Sequence, residues 1–156
     1  MENQEFTGIL LGMTDTLYRI CAAQLPQMAD REDAVQETLR KAWEKRKSLR
    51  EERYVKTWVI RILLNECHTM QRKMARTLPT DAVPATQPDS EESPLKEALM
   101  QLEERYRTPI LLHYLEGYSV AETANILRVP QGTVKTWLAR GRKALKAILN
   151  EEVFEG

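Results

Sequence analysis

At 156 residues the chain has room for one domain or two small ones, and 42% hydrophobic residues are enough for a folded core. Aromatics at 6% and only six glycines fit a helical protein. Basic and acidic residues balance at 23 each, which excludes a strong global field for nucleic acid, so any such contact must come from local patches.

The opening residues MENQEF lack a basic-then-apolar signal pattern, and no apolar run approaches bilayer length, so a cytoplasmic location is expected. Phe6, Ile9, Leu10, Met13, Leu17 and Ile20 mark a first amphipathic helix, broken near Pro26. Asp30 can cap a second helix running to about residue 47, with Ala34, Val35, Leu39, Ala42 and Trp43 as its apolar side. A basic, polar connection over 45–53 follows. A third helix over about 54–76 carries Trp58, Val59, Ile62, Leu63 and Met70 at helical spacing, with a basic tail. Cys21 and Cys67 have no metal-ligand spacing. In a reducing compartment each reads as a small buried or half-buried apolar residue rather than half of a structural disulfide.

The stretch TLPTDAVPATQPDSEESP has four prolines, no basic residue and no periodicity, and reads as a flexible linker. Charge is segregated around it. Residues 1–77 hold 14 basic and 11 acidic side chains, residues 78–95 none and four, and residues 96–156 nine and eight. Ser93-Pro94 is a cap-plus-first-turn start for a helix carrying Leu95, Leu99, Leu102 and Tyr106. Pro109 either separates it from 110–115 or kinks one longer helix, and Gly117 ends that element. No period-two strand segments with hairpin turns occur, so the fold class is all-α: two small helical domains joined by a flexible linker.

Residues 119–146 have the spacing of a helix-turn-helix. Ser119 followed by Glu122 is a capping-box pattern, and Val120, Ala124 and Leu127 form an apolar stripe. Arg128-Val129-Pro130 is a short break. From Gln131 the apolar positions Val134, Leu138, Leu145 and Ile148 share one helix face, with Gly141 between. Residues 131–146 include Lys135, Arg140, Arg142, Lys143 and Lys146 and no acidic side chain. Such a helix can pack by one face and lie along DNA with the other. The bland alternative is a solvated basic face. Earlier in the chain, Asp33, Gln36, Glu37 and Arg40 share the exposed side of the second helix and read as a solvated, mixed-charge face. Trp58, Arg61, Asn65, His68, Arg72 and Lys73 suit single-stranded nucleic acid, whose bases stack and whose phosphates pair with cations. The alternative is that Trp58 is core and the basic residues are surface.

The order of these pieces resembles the small two-domain bacterial sigma factors of RNA polymerase, the extracytoplasmic-function (ECF) group. The matching pieces are LYRI at 17–20, DREDAVQETLRKAW at 30–43, TWVIRILLNE at 57–66, the acidic proline-rich linker, LEERYRTPILLHYLEGYSVAETANIL at 102–127 and VPQGTVKTWLARGRKAL at 129–145. The resemblance implies a region 2-like domain over 1–77, a linker over 78–94 and a region 4-like domain over 95–156. It implies that Asp33, Gln36, Glu37 and Arg40 dock on core RNA polymerase, and that the 47–54 connection captures a base flipped from the −10 element. It further implies that Arg61, Asn65, Arg72 and Lys73 contact −10 DNA, and that Thr133, Lys135, Thr136 and Arg140 read the −35 element with Lys143 on phosphate. Promoter DNA and an anti-sigma factor, often membrane-anchored in this group, are the other implied partners. No cofactor, metal, catalytic residue or small-molecule substrate is implied.

Three positions depart from the family pattern. Thr69 stands where an acidic residue is common, Trp137 where arginine is frequent, and Arg128 where glycine is common in the turn. Trp137 either packs against its domain or reaches a thymine methyl, and Arg128 calls for a different turn geometry or a strained residue. Two other classes fit less well. A stand-alone helix-turn-helix regulator would need a dimer interface or ligand pocket that 1–77 does not suggest. A nucleic-acid enzyme would need a catalytic cluster, but His68 and His113 are the only histidines and no glycine-rich phosphate loop occurs.

Overall fold

A computed structural model describes the backbone of residues 2–77 and 94–155, and side chains for residues 2–76 and 94–150. The expected linker and the expected Ser93 cap lie outside the described residues. The described residues are helical, without strands, and fall into two compact units.

The first unit holds α1 (Asn3–Gly12), α2 (Thr14–Ala22), α3 (Met28–Glu44) and α4 (Val55–Thr77), with short 3-10 turns at Arg46–Ser48 and Glu52–Tyr54. The single N-terminal helix expected from periodicity is two helices, jointed at Met13 (φ −91°, ψ −7°). The Met13 amide is shared between the carbonyls of Ile9 and Leu10, both at 3.1 Å. Gly12 has little helix preference, which eases the tightening there. The joint drives Met13 into the core beside Phe6, Leu10, Leu17 and Ile20. The second helix also starts earlier than expected. Gln27, not Asp30, is the N-cap, with no side-chain cap bond, and Asp30 lies in the first turn facing the positive end of the helix dipole. The helix stops at Glu44, short of 47. Arg31 fastens the preceding connection by donating to the carbonyls of Leu25 (2.7 Å) and Pro26 (3.3 Å).

Helix α4 buries Val55, Val59, Ile60, Leu63, Leu64 and Cys67. Ile62 and Met70, expected in this stripe, are only half-buried, because the true face runs through Ile60, Leu64 and Cys67. A Lys41–Glu66 ion pair links α3 to α4.

The second unit holds α5 (Pro94–Met100), α6 (Glu104–Ile110), a π turn at Leu111–Leu115, α7 (Val120–Leu127) and α8 (Gln131–Glu155). The one helix expected to carry Leu95 through Tyr106 is divided at residues 101–103. Arg107 donates to the Leu102 carbonyl (3.2 Å) and more distantly to that of Met100 (3.5 Å), so a cation covers the carbonyl end of α5. Pro109 sits inside α6 and the chain continues into the π turn, so proline does not separate two helices there. Gly117, at φ 81°, ends the element as anticipated. His113 is a core-edge residue whose Nδ1–H donates to the Tyr118 carbonyl (2.6 Å).

The capping box at Ser119 and Glu122 forms in full, with both bonds at 3.0 Å. The stripe of α7 runs through Thr123, Ala124 and Ile126, while Val120 packs at its edge. Arg128 takes the left-handed conformation (φ 57°, ψ 47°) that glycine would adopt without strain. Helix α8 packs Val134 and Leu138 against Leu99, Leu102, Ile110 and Ala124, and Ala144, Leu145 and Ile148 extend the contact. Each such fully buried aliphatic side chain contributes about 1.5–3 kcal/mol. Gly141 is the point of closest approach: a Cβ there would lie 2.5 Å from Ile110 Cδ1 and 3.3 Å from Tyr106 Cβ.

Two substitutions test this packing by denaturant unfolding of the second unit. Gly141→Leu destabilises it by about 1–3 kcal/mol, because α8 must lift from α6. Arg128→Gly stabilises it by up to about 1 kcal/mol, because a left-handed non-glycine residue is relieved.

Candidate nucleic-acid interface

Helix α4 presents two faces. Behind it lies the core just described. Along the other side Arg61, Asn65, His68, Thr69, Arg72 and Arg76 recur at helical intervals of three and four. Asn65, His68, Arg72, Lys73 and Arg76 are exposed, and Arg61 is half-buried. Lys73 flanks this stripe. Asn65, His68, Thr69, Gln71, Arg72 and Ala75 line a shallow, open depression. Thr69 donates its hydroxyl to the Asn65 carbonyl at 3.0 Å, so it is tied into the helix where the family often has a carboxylate. The exchange leaves this face without an acidic group opposing a phosphate. Thr69 is marked in the sequence only as a departure from the family pattern, and Gln71 is not marked at all; the spacing of Thr69 from Asn65 and of Gln71 from His68 is the available signal.

Trp58 does not join this face. It is half-buried, with its ring centroid 6.3 Å from that of Phe6, and Trp43 flanks Phe6 at the same distance. Arg46 stacks over Trp43 (3.9 Å to the centroid), and its Nε donates to Asn3 Oδ1 at 3.1 Å. Asn3, Phe6, Arg46, Lys47 and Leu49 surround a small pocket beside the 45–54 connection. Its lining by α1 depends on tertiary packing that no local sequence signal reveals. Beyond it, Arg53 stacks on Tyr54 (4.7 Å) and pairs with Glu51 (2.7 Å).

On α3, Asp33, Gln36, Glu37 and Arg40 fall on one stripe, Glu37 half-buried and the other three exposed. Arg40 is braced from both sides, by Glu37 one turn before it and Glu44 one turn after. The hydrogen bond from Arg40 holds the Glu37 carboxyl below the usual carboxylate range. A depressed pKa keeps this carboxylate charged at neutral pH, and its contribution disappears only as pH falls through the lowered value. The Glu37 charge on this face is therefore fixed near neutrality.

In the second unit the capping box fixes the start of α7, and the left-handed Arg128 turns the chain into α8. Lys135, Thr136, Arg140 and Lys143 are exposed on α8, away from Val134 and Leu138, and Thr133 is half-buried at the border. Thr136 donates to the Gly132 carbonyl at 3.0 Å, which fixes its rotamer and leaves the hydroxyl oxygen free to accept. Trp137 is half-buried, one turn from both Thr133 and Arg140. Arg142, basic but on the side toward the π turn, bonds the Tyr114 hydroxyl instead of extending the exposed basic face. Helix α8 thus offers a row of donors and a hydroxyl on the outward face of a rigid rod, the geometry that suits a major groove.

Comparisons with known proteins agree. Residues 13–77 match Sigma-70 region 2 and residues 93–145 match Sigma-70 region 4. The chain is 31% identical over 150 residues to the ECF RNA polymerase sigma factor SigM of Mycobacterium tuberculosis, covering 86% of this chain and 76% of that one. It is 28% identical to SigW of Bacillus subtilis, covering 96% and 91%. Among solved structures it is similar to the sigma factor RpoE of Bartonella quintana, determined with the anti-sigma factor NepR. That likeness has a TM-score of 0.80 and 29% identity, and covers 94% of this chain and 98% of RpoE.

A contribution of the exposed α4 face to DNA binding is tested by salt dependence: replacing Lys73 with alanine lowers the log–log salt slope by about 0.7–1, with affinity reduced similarly across sequences. With regions 2 and 4 both present in order, the chain belongs to the ECF RNA polymerase sigma factors, which select promoters for transcription initiation.

Proposed function

We propose a division of labour within this sigma factor. Residues 1–77 bind core polymerase through Asp33, Gln36, Glu37 and Arg40, and hold −10 DNA through Arg61, Asn65, Arg72 and Lys73. Residues 95–156 read the −35 duplex through Thr133, Lys135, Thr136 and Arg140, with Lys143 on phosphate, and 78–94 links the two. The observation that carries this reading is the outward row on α8, aligned on a helix whose opposite side is buried. Region 2 over 13–77 has no counterpart in a stand-alone helix-turn-helix regulator, which disfavours that alternative.

Physical chemistry supports the two roles. The −35 element stays duplex, so side chains reach base edges in the major groove. The −10 element must open, and taking a base out of the stack costs a few kcal/mol, about what a protein pocket can offset. The pocket of Asn3, Phe6, Arg46, Lys47 and Leu49 supports capture of such a base beside the 47–54 connection. The chain supplies binding and strand capture, while polymerase performs the bond-forming chemistry, so no catalytic group or cofactor is required of it. Its workplace is the cytoplasm, with the polymerase. Among the described residues no helix is long and apolar enough to cross a membrane. An anti-sigma protein holding this chain inactive follows from the group resemblance and is supported by the RpoE–NepR complex.

The test is transcription by bacterial core polymerase with this protein on a pool of genomic fragments. Discrete new start sites sharing −35 and −10 motifs are expected; tight duplex binding without any start site would contradict the reading. On a promoter so found, Arg140→Ala costs about 1–3 kcal/mol of discrimination at one −35 position while leaving the melting temperature unchanged. Asp33→Lys, by reversing a charge at the docking face, raises the Kd for core polymerase without altering −35 duplex binding by the free chain.

A further inference from the structure

Cys21 and Cys67 lie outside every interface assigned above. They come from different helices, Cys21 in the last turn of α2 and Cys67 midway along α4, and both are fully buried. Their Sγ atoms are nonetheless 3.5 Å apart. A disulfide needs about 2.05 Å, so an approach of about 1.5 Å separates the contact observed at 3.5 Å from a covalent bridge. Two small apolar residues could fill the same space without meeting sulfur to sulfur. The hydrogen bond from Cys67 lowers the Cys21 pKa, desolvation opposes the shift, and the positive charge of Arg31 adds to the lowering. Arg31 is fixed nearby by its bonds to the Leu25 and Pro26 carbonyls.

Burial makes a thiol inert until the structure opens locally, and helix ends open first. Cys21 occupies such an end. Disulfides in reducing compartments are characteristically transient and redox-sensing rather than structural.

We propose that Cys21 and Cys67 form a modification site: a hydroperoxide converts the two thiols into an intramolecular disulfide that staples α2 to α4. The Cys21 thiolate attacks the terminal peroxide oxygen, the O–O bond breaks, and water or an alcohol leaves. The resulting sulfenic acid is attacked by the Cys67 sulfur. The S–S bond forms as the hydroxyl departs with the Cys67 proton as water. Two thiols lose two electrons and the peroxide gains them; a dithiol reductant reverses the bridge by exchange. Cys67 faces the core while Asn65 and His68 face outward. The bridge therefore leaves the exposed side of α4 intact, and it ties together positions 46 apart in sequence, which restricts the unfolded chain.

The full-length protein is treated with a few equivalents of hydrogen peroxide, then mapped by non-reducing peptide mass spectrometry alongside a native thiol count. The expected product is a Cys21–Cys67 linked peptide pair two hydrogens lighter, both thiols lost from the count, and full reversal by dithiothreitol. The melting temperature of the first unit rises on the order of 10 °C. Holoenzyme assembled with the oxidised protein keeps promoter-directed transcription. Thiols that stay titratable, intermolecular dimers, or sulfinic acid as the main product would overturn the site; loss of transcription on bridging would overturn the staple's neutrality toward DNA. Cys67→Ala must abolish both the linked peptide and the thermal shift, and the wild-type map stands even if that variant folds poorly.

Discussion

In the proposed division of labour, each DNA contact depends on seating a long helix by one stripe and leaving the opposite stripe open. In the second unit, Val134, Leu138 and the bare backbone at Gly141 press α8 onto α6 and α7. In the first, Val59, Ile60, Leu63, Leu64 and Cys67 seat α4 against α2 and α3. The apolar contacts hold each helix as a rigid rod. Rigidity matters because a side chain misplaced by an ångström loses the directional bonds through which bases are read. Gly141 is the clearest instance, since a Cβ there already meets Ile110 Cδ1 at 2.5 Å and a bulky side chain pushes α8 away from its support.

The same division explains how a chain with no net charge serves nucleic acid. Basic groups are gathered on the outward stripes of α4 and α8, while carboxylates are placed elsewhere or paired, as Glu37 and Glu44 are with Arg40 and Glu66 is with Lys41. Weak overall attraction disfavours indiscriminate binding to DNA. Two modest grips joined in one chain then raise each other's effective concentration, so neither needs to be strong alone.

Local signals in the sequence proved reliable. The Ser119–Glu122 box, the Gly117 stop and the turn at Arg128 all depend on residues within one turn of each other, and all appear as read. The stripes of α4 and α7 were legible in outline, but shifted toward Ile60, Leu64 and Ile126 because periodicity alone does not say which edge of an apolar band meets the core. Helix ends were less legible. Asp30 resembled a cap, yet the chain after Pro26 enters the helix two residues before it. The joint at Met13 and the break at 101–103 depend on packing and on Arg107, neither of which leaves a local mark. What brings distant residues together was illegible: the Cys21–Cys67 contact and the Asn3–Arg46 bond span 46 and 43 positions. The docking role proposed for the α3 face comes from the family resemblance; its mixed charges alone present an ordinary surface.

The most direct test of the central claim is permanganate reactivity of −10 thymines in the holoenzyme–promoter complex. One variant carries alanine at Arg61, Asn65, Arg72 and Lys73; another carries alanine at Lys135, Thr136 and Arg140. With separate outward faces for duplex and open strand, the α4 variant still occupies the promoter but leaves the −10 thymines unreactive, whereas the α8 variant loses occupancy and reactivity together. Wild-type thymine reactivity in the α4 variant would contradict the account.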